Sequence, residues 1–153
     1  MKRRDFLTSA GASGTAALAA FSGLPRAAAA ADWNEAERAS VKLVTEFCAA
    51  WSTRNMSNVL PFLSDDCVYR MSETTPPVNG HDGVIQRLKT WVDTSSLVEF
   101  RILDTMAVGP IVINHRIDRF LTKQPLTWEG VGVFFVKDAK IKEWSDYTIR
   151  VQR

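Results

Sequence analysis

The stretch Ile111-Val112-Ile113-Asn114-His115-Arg116-Ile117-Asp118-Arg119-Phe120 decides the reading of this sequence. β-Branched residues alternate there with polar ones, and the two-residue period of a strand puts Val112, Asn114, Arg116, Asp118 and Phe120 on one face. Ile111, Ile113, His115, Ile117 and Arg119 form the other. An arginine and a carboxylate among apolar neighbours are costly to take out of water unless a third group completes their charge arrangement. Asp146, in Glu143-Trp144-Ser145-Asp146-Tyr147, supplies that group, so the expected chemical centre is two carboxylates sharing one arginine. The competing reading is an exposed ion pair along a strand, worth little, with Asp146 merely binding backbone amides at the end of the sheet.

Around this stretch the second half of the chain reads as sheet. Leu97 to Met106, Ile111 to Leu121, Leu126 to Val136 and Lys140 to Val151 are rich in β-formers. Their connections are short, containing Gly109-Pro110, Lys123-Gln124-Pro125 and Lys137-Asp138-Ala139, which makes neighbours antiparallel. Upstream, Val41, Val44, Cys48 and Trp51 recur at helical spacing between Asn34 and Arg54, with Leu43 and Phe47 widening the stripe. Ser57 is placed to cap a short second helix through Leu63, with Pro61 in its early turns. Asp65-Asp66 is expected to turn the chain into a short strand, Cys67 to Met71. The loop Thr74 to Gly80 has strong turn chemistry and leads to a third helix, roughly His81 to Val92. Helices first and a long meander after them argue for an α+β domain whose curved, mixed or antiparallel sheet is packed by about three N-terminal helices around a pocket.

Alternation then names the inward residues. They are Asn114, Arg116, Asp118 and Phe120 on one strand, Trp128, Gly130, Gly132 and Phe134 on the next, and Lys142, Trp144, Asp146 and Thr148 on the last. The two glycines are expected to leave room for a ligand. An aromatic and aliphatic lining with a few convergent charges suits a small molecule.

The first 31 of the 153 residues read differently. Lys2-Arg3-Arg4-Asp5-Phe6-Leu7 precedes a weakly apolar stretch rich in Ala, Gly and Ser, then Pro25-Arg26 and an alanine run, the plan of a cleaved export signal. Its Arg-Arg-x-Phe-Leu core resembles a twin-arginine signal, which implies export of a folded protein to the periplasm or beyond. The apolar run is too short and glycine-rich for a stable membrane anchor. Residues 32–153 would form the single working domain. Of 19 basic side chains the signal holds Lys2, Arg3, Arg4 and Arg26, and of 17 acidic ones Asp5, so the 122 remaining residues carry 15 and 16. The basicity belongs to the signal, and no basic stripe remains to suggest nucleic acid. Cys48 and Cys67 fall in core segments and read as a bridge or as two buried thiols. Neither they nor His81 and His115 have metal-ligand spacing, so no metal or cofactor is expected.

The order of elements resembles the NTF2-like α+β cone, and within it the limonene-1,2-epoxide hydrolase family. Carrying the likeness are Tyr69 in Val68-Tyr69-Arg70-Met71, Pro76-Pro77-Val78-Asn79-Gly80-His81-Asp82, Arg116-Ile117-Asp118, Gly132-Val133-Phe134 and Trp144-Ser145-Asp146-Tyr147. The resemblance implies a cofactor-independent opening of a small lipophilic epoxide by water. Asp146 would be the base, Asp118 the protonated acid and Arg116 the bridge between them, with Tyr69 helping to place the water. Phe120, Trp128, Phe134, Trp144 and Met71 would line the substrate site, and a homodimer is implied. One position departs from the pattern. Met71 stands where the family places water with an asparagine, and Ser72 or Asn114 is the available substitute. A polyketide-cyclase-like or ketosteroid-isomerase-like activity, or an exported binder of small apolar ligands, remains the alternative.

Overall fold

The computed structural model describes residues 33–152; the export segment expected over residues 1–31 lies outside the described residues. Asn34 opens α1 (Glu35–Ala50) with a reciprocal capping pair, its side chain accepting from the Glu37 amide while Glu37 accepts from the Asn34 amide. Trp51–Thr53 tightens into a 3₁₀ turn, and a short α2 (Met56–Val59) follows. Asn55, rather than Ser57, caps α2, accepting from the Ser57 amide at 2.9 Å. Pro61 sits in the 3₁₀ turn Leu60–Phe62, where its missing amide costs nothing.

Asp65 and Asp66 lie inside β1 (Leu63–Arg70), not in a turn before it. They occupy an irregular stretch between Leu63 and Val68 in which pairing with the last strand is interrupted. The expected loop contains a two-residue strand, β2 (Val78–Asn79), and α3 runs from Gly80 to Thr94, a little longer at both ends than the expected His81 to Val92. Four long strands follow: β3 (Val98–Val108), β4 (Ile111–Phe120), β5 (Leu126–Lys137) and β6 (Lys140–Gln152). The sheet order is β2-β1-β6-β5-β4-β3, antiparallel except where β1 runs parallel to β6. That parallel pair makes the sheet mixed and brings Tyr69 beside Trp144.

The helices cover one face of this sheet. Phe47 of α1 is fully buried and meets Trp51, Phe62, Phe134 and Trp144 edge-on, with centroids 5.0 to 6.2 Å apart. Val44, Cys48, Val84, Leu88 and Val92 complete the helical side of the core. Cys48 and Cys67 are both buried free thiols. The inward reading of Lys142 fails. The ladder slips between Phe135 and Val136, which pair with Glu143 and Ile141, leaving Lys142 as the extra residue of a bulge. Ile141 therefore enters the core, and Lys142 pairs with Asp66 instead.

Candidate active site

Because β4, β5 and β6 are neighbours in register, the inward residues of three strands converge. Gly132 stands between Asn114 and Asp146, and Gly130 between Arg116 and Thr148. Arg116 is completely buried, and Asp118 and Asp146 are each 4% exposed. The guanidinium uses three sides. Nε donates to both oxygens of Asp118 at 3.0 and 3.1 Å, Nη2 to Asp146 Oδ1 at 2.6 Å, and Nη1 to Asn114 Oδ1 at 3.1 Å. A planar fork can hold two carboxylates and an amide in fixed directions, which a lysine could not. Aromatic rings enclose its carbon, with centroids of Trp128 at 5.1 Å and Phe100 at 5.2 Å.

The glycines make this arrangement possible, though not as the sequence suggested. A Cβ on Gly132 would lie 1.9 Å from Arg116 Nη1, and one on Gly130 would lie 2.2 Å from the Trp128 indole. The space they leave is filled by the guanidinium and the indole, not by a ligand.

The two carboxylates are held unequally. Asp146 receives Arg116, the Trp144 indole N–H at 2.7 Å on Oδ1, and the Tyr69 hydroxyl at 3.5 Å on Oδ2. Among the described residues Asp118 receives Arg116 alone. Burial raises both pKa values. For Asp118 it outweighs the attraction of Arg116, and with repulsion from Asp146 it pushes the carboxyl up to about 7. Asp146 is also raised by burial, but Arg116, Trp144 and Tyr69 all favour its ionised form. The more readily protonated member is thus Asp118. Burial and then Asp146 lift the Tyr69 hydroxyl far above its ordinary range, so it keeps its proton and donates. Burial raises the Cys48 thiol to about 12, which leaves it neutral. Arg116 itself is pushed upward, the two aspartates overcoming the cost of burying its charge.

Asp118 and Asp146 reach the wall of a cavity of about 320 Å³. Met71, Phe120 and Trp128 line it as expected sites of contact, joined by Leu88, Trp91 and Leu126. Two expected lining residues do not. Phe134 (0% exposed) and Trp144 (2%) lie in the core behind the charges, Trp144 stacked between Phe134 and Tyr69. Tyr69 is likewise buried and meets the site only through its hydroxyl. Asn114 faces Arg116 rather than the cavity, and Ser72 lines the cavity with its hydroxyl 2.5 Å from that of Thr75. Leu88 and Trp91, which recur at helical spacing on α3, are not among the expected lining residues. Nothing in alternation alone could show that the Trp144 N–H points at Asp146. Among the described residues no three His, Cys, Asp or Glu side chains gather as metal ligands would.

The fold recurs in solved structures. An LEH-like epoxide hydrolase of M. tuberculosis superposes with a TM-score of 0.62 at 24% identity, over 73% of this chain and 84% of that one. A SnoaL-like polyketide cyclase from Jannaschia sp. CCS1 gives 0.67 at 11% identity, over 77% and 90%. A polyketide-cyclase-type protein of Xanthomonas campestris gives 0.63 at 18%, over 72% and 90%. At such identities the likeness is one of fold. Among curated proteins none matches the chain in sequence. The SnoaL-like domain model matches residues 44–144, from the inward face of α1 through Trp144, and with the NTF2-like architecture this establishes that the chain belongs to the SnoaL-like domain family.

Proposed function

We propose that residues 32–153 form a cofactor-independent hydrolase that opens a small lipophilic epoxide to a vicinal diol by direct attack of water. One observation carries the reading: a buried arginine holds two carboxylates of unequal basicity side by side on the wall of an apolar cavity. Epoxide opening needs a base for the water and an acid for the ring oxygen at the same moment, and two carboxyls with separated pKa values supply both. The water oxygen bonds to one ring carbon as Asp146 takes a water proton. The carbon–oxygen bond breaks, and its electron pair takes the proton of Asp118. Asp146 ends protonated and Asp118 ionised, and proton exchange through the cavity restores the pair. Arg116 keeps both carboxyls in place without entering the reaction. A cavity of about 320 Å³ is at the small end for ligand sites, which suits a compact substrate.

A second reading has one feature in its favour. Met71 occupies the cavity wall where the epoxide hydrolases place a water-holding asparagine, and a pocket that did not hold water would suit proton transfer beside a carbonyl. The M. tuberculosis enzyme and the two polyketide-cyclase-type proteins share this fold, so fold alone favours neither. The twin-arginine signal extends the proposal to an enzyme exported already folded, acting in the periplasm or outside the cell. Met106, Ile111 and Tyr147, exposed on the outward face of the sheet, suit pairing with a second copy, which light scattering would detect.

The test is turnover of cyclic and terpene epoxides in heavy-oxygen water by the parent protein, Asp118→Asn and Asp146→Asn. Diol carrying one heavy oxygen is expected from the parent, with both variants slower by roughly a thousandfold. No diol from any epoxide, together with proton exchange beside a ketone carbonyl, would replace the reading with carbonyl chemistry.

A further inference from the structure

The departure at Met71 leaves water attack without an obvious second holder for the water, and the cavity offers one on a different strand. Thr148 lies two residues beyond Asp146 on β6, and the ladder pairs these two with Gly130 and Gly132, so both project from the same face. Side chains at that spacing stand about 7 Å apart at their Cα atoms, a gap that one water spans with a hydrogen bond to each. Both line the cavity.

Thr148 is oriented for this. The Trp128 indole N–H donates to Thr148 Oγ1 at 3.1 Å, occupying a lone pair. The indole reaches that position because Gly130 has no side chain; a Cβ there would lie 2.2 Å from the ring. The backbone amide of Thr148 donates to Glu73 Oε1 at 2.6 Å, which fixes the strand at the mouth of the cavity. Among the described residues the hydroxyl hydrogen has no acceptor, so it is available to a water or ligand. The other hydroxyl on the wall, Ser72, is engaged with Thr75. On Asp146, Oδ1 already receives two short bonds, whereas Oδ2 has only the 3.5 Å contact from Tyr69. Oδ2 is the oxygen with capacity left for a water proton.

We infer that Thr148 holds the attacking water from the β6 side, in the role that an asparagine at the place of Met71 would otherwise play. The inference rests on the hydrolase reading. Water bridges the Thr148 hydroxyl and Asp146 Oδ2. Thr148 donates to the water oxygen without losing its proton, and both water hydrogens remain for the base and the bulk. Met71 then forms part of the apolar wall against which the substrate lies.

The experiment compares Thr148→Val, Thr148→Ser and Trp128→Phe with the parent on the epoxide the parent turns over best, with kcat and KM measured separately. Thr148→Val keeps the shape and loses only the hydroxyl. It is expected to lower kcat about tenfold or more with KM within about twofold, while Thr148→Ser keeps most of kcat. Trp128→Phe, which retains a ring but loses the N–H, is expected to lower kcat by a smaller factor. Unchanged melting temperatures for the two Thr148 variants exclude a folding effect. If Thr148→Val turns over like the parent, or loses only KM, the inference falls and the hydrolase reading stands. If Thr148→Ser is as slow as Thr148→Val, the hydroxyl is not the working group and the inference falls alone. If the parent itself makes no diol, both fall together.

Discussion

Two polar clusters sit back to back across strands β4 to β6, one on each face of the sheet, and their carboxylates are shifted in opposite directions. On the inner face one cation, Arg116, holds two carboxylates, Asp118 and Asp146. On the outer face one carboxylate, Glu129, holds the Arg150 guanidinium and accepts from the His115 ring at 3.2 Å. His115 and Arg116 are adjacent in sequence, and Glu129 is adjacent to Gly130. What separates the clusters is water. Inside, burial dominates and drives the Asp118 carboxyl up to about 7. Outside, hydrogen bonds from Arg150 and His115 dominate, and Glu129 is shifted down. An arginine meets carboxylates on both faces of one sheet, and burial alone turns the inner set towards proton transfer while the wet outer carboxylate is held more firmly ionised.

The widest contrast is expected from cutting each cluster at an arginine. Arg116→Met strands two carboxylates in the core and should destabilise the domain by about 3–5 kcal/mol, whereas Arg150→Met should leave the melting temperature little changed. Replacing the whole inner set, Arg116→Met with Asp118→Leu and Asp146→Leu, should recover most of the loss while leaving no activity. Thermal unfolding of the three variants and the parent measures this, and an Arg116→Met variant as stable as the parent would remove the case for a desolvated triad. Gly132→Ala comes next. Its Cβ would lie 1.9 Å from Arg116 Nη1 and 2.9 Å from Asn114 Oδ1, so the guanidinium must shift. A displacement of about 1 Å in the group that aligns both carboxylates should cost roughly a hundredfold in turnover, with a stability loss of about 1–3 kcal/mol. Turnover within a factor of two of the parent would mean that the alignment tolerates far more movement than proposed.

pH separates the clusters by sign. The folded form holds the Asp118 proton to about 7, while an unfolded chain releases it near 3.8. Between those values the native state binds more protons, so the Asp118 contribution weakens stability as pH rises from about 4 through 7. Glu129, lowered in the native state, acts oppositely, contributing stability above its unfolded pKa that is lost as pH falls. Melting temperatures from pH 5 to 8 should therefore decline less steeply for Asp118→Asn than for the parent, with Glu129→Gln following the parent. Turnover should share the boundary, falling as pH rises past about 7 and the acid loses its proton. If Asp118→Asn and the parent lose stability in parallel over that range, another group owns the transition.

How much of this the sequence disclosed depended on the range of the interaction. The alternation from Ile111 to Phe120 placed Arg116 and Asp118 together because a strand's period is fixed by its backbone, and Asp146 followed from the same rule applied to β6. The rule broke at Lys142, where one bulged residue reverses inside and outside, and nothing local in Lys140-Ile141-Lys142-Glu143 announces a bulge. Asp65-Asp66 carried turn chemistry but was drawn into β1, whose pairing with β6 joins segments far apart in the sequence. The glycines were recognised as making space, yet what fills it, a guanidinium and an indole, depends on side-chain directions that no pattern encodes. Tryptophan is the sharpest case. Trp128 and Trp144 look alike in the sequence, but one lines the cavity and the other stands behind the acids with its N–H on Asp146.

That hidden indole gives the finest test of why the two acids differ. If the Trp144 N–H helps keep Asp146 ionised, Trp144→Phe should raise the Asp146 pKa, because the charged form loses a donor while the burial that disfavours it remains. Asp146 must be ionised to act as base, so the acid side of the turnover profile should move to higher pH. The alkaline side, set by Asp118, should stay near 7, and the active range should narrow from one side only. The smaller ring also leaves space beside Phe47 and Tyr69, and the melting temperature should fall. The two effects separate cleanly. A lower melting temperature with an unmoved acid limb would make Trp144 a filler of the core, whereas a displaced acid limb would show that the difference between the aspartates is built one hydrogen bond at a time.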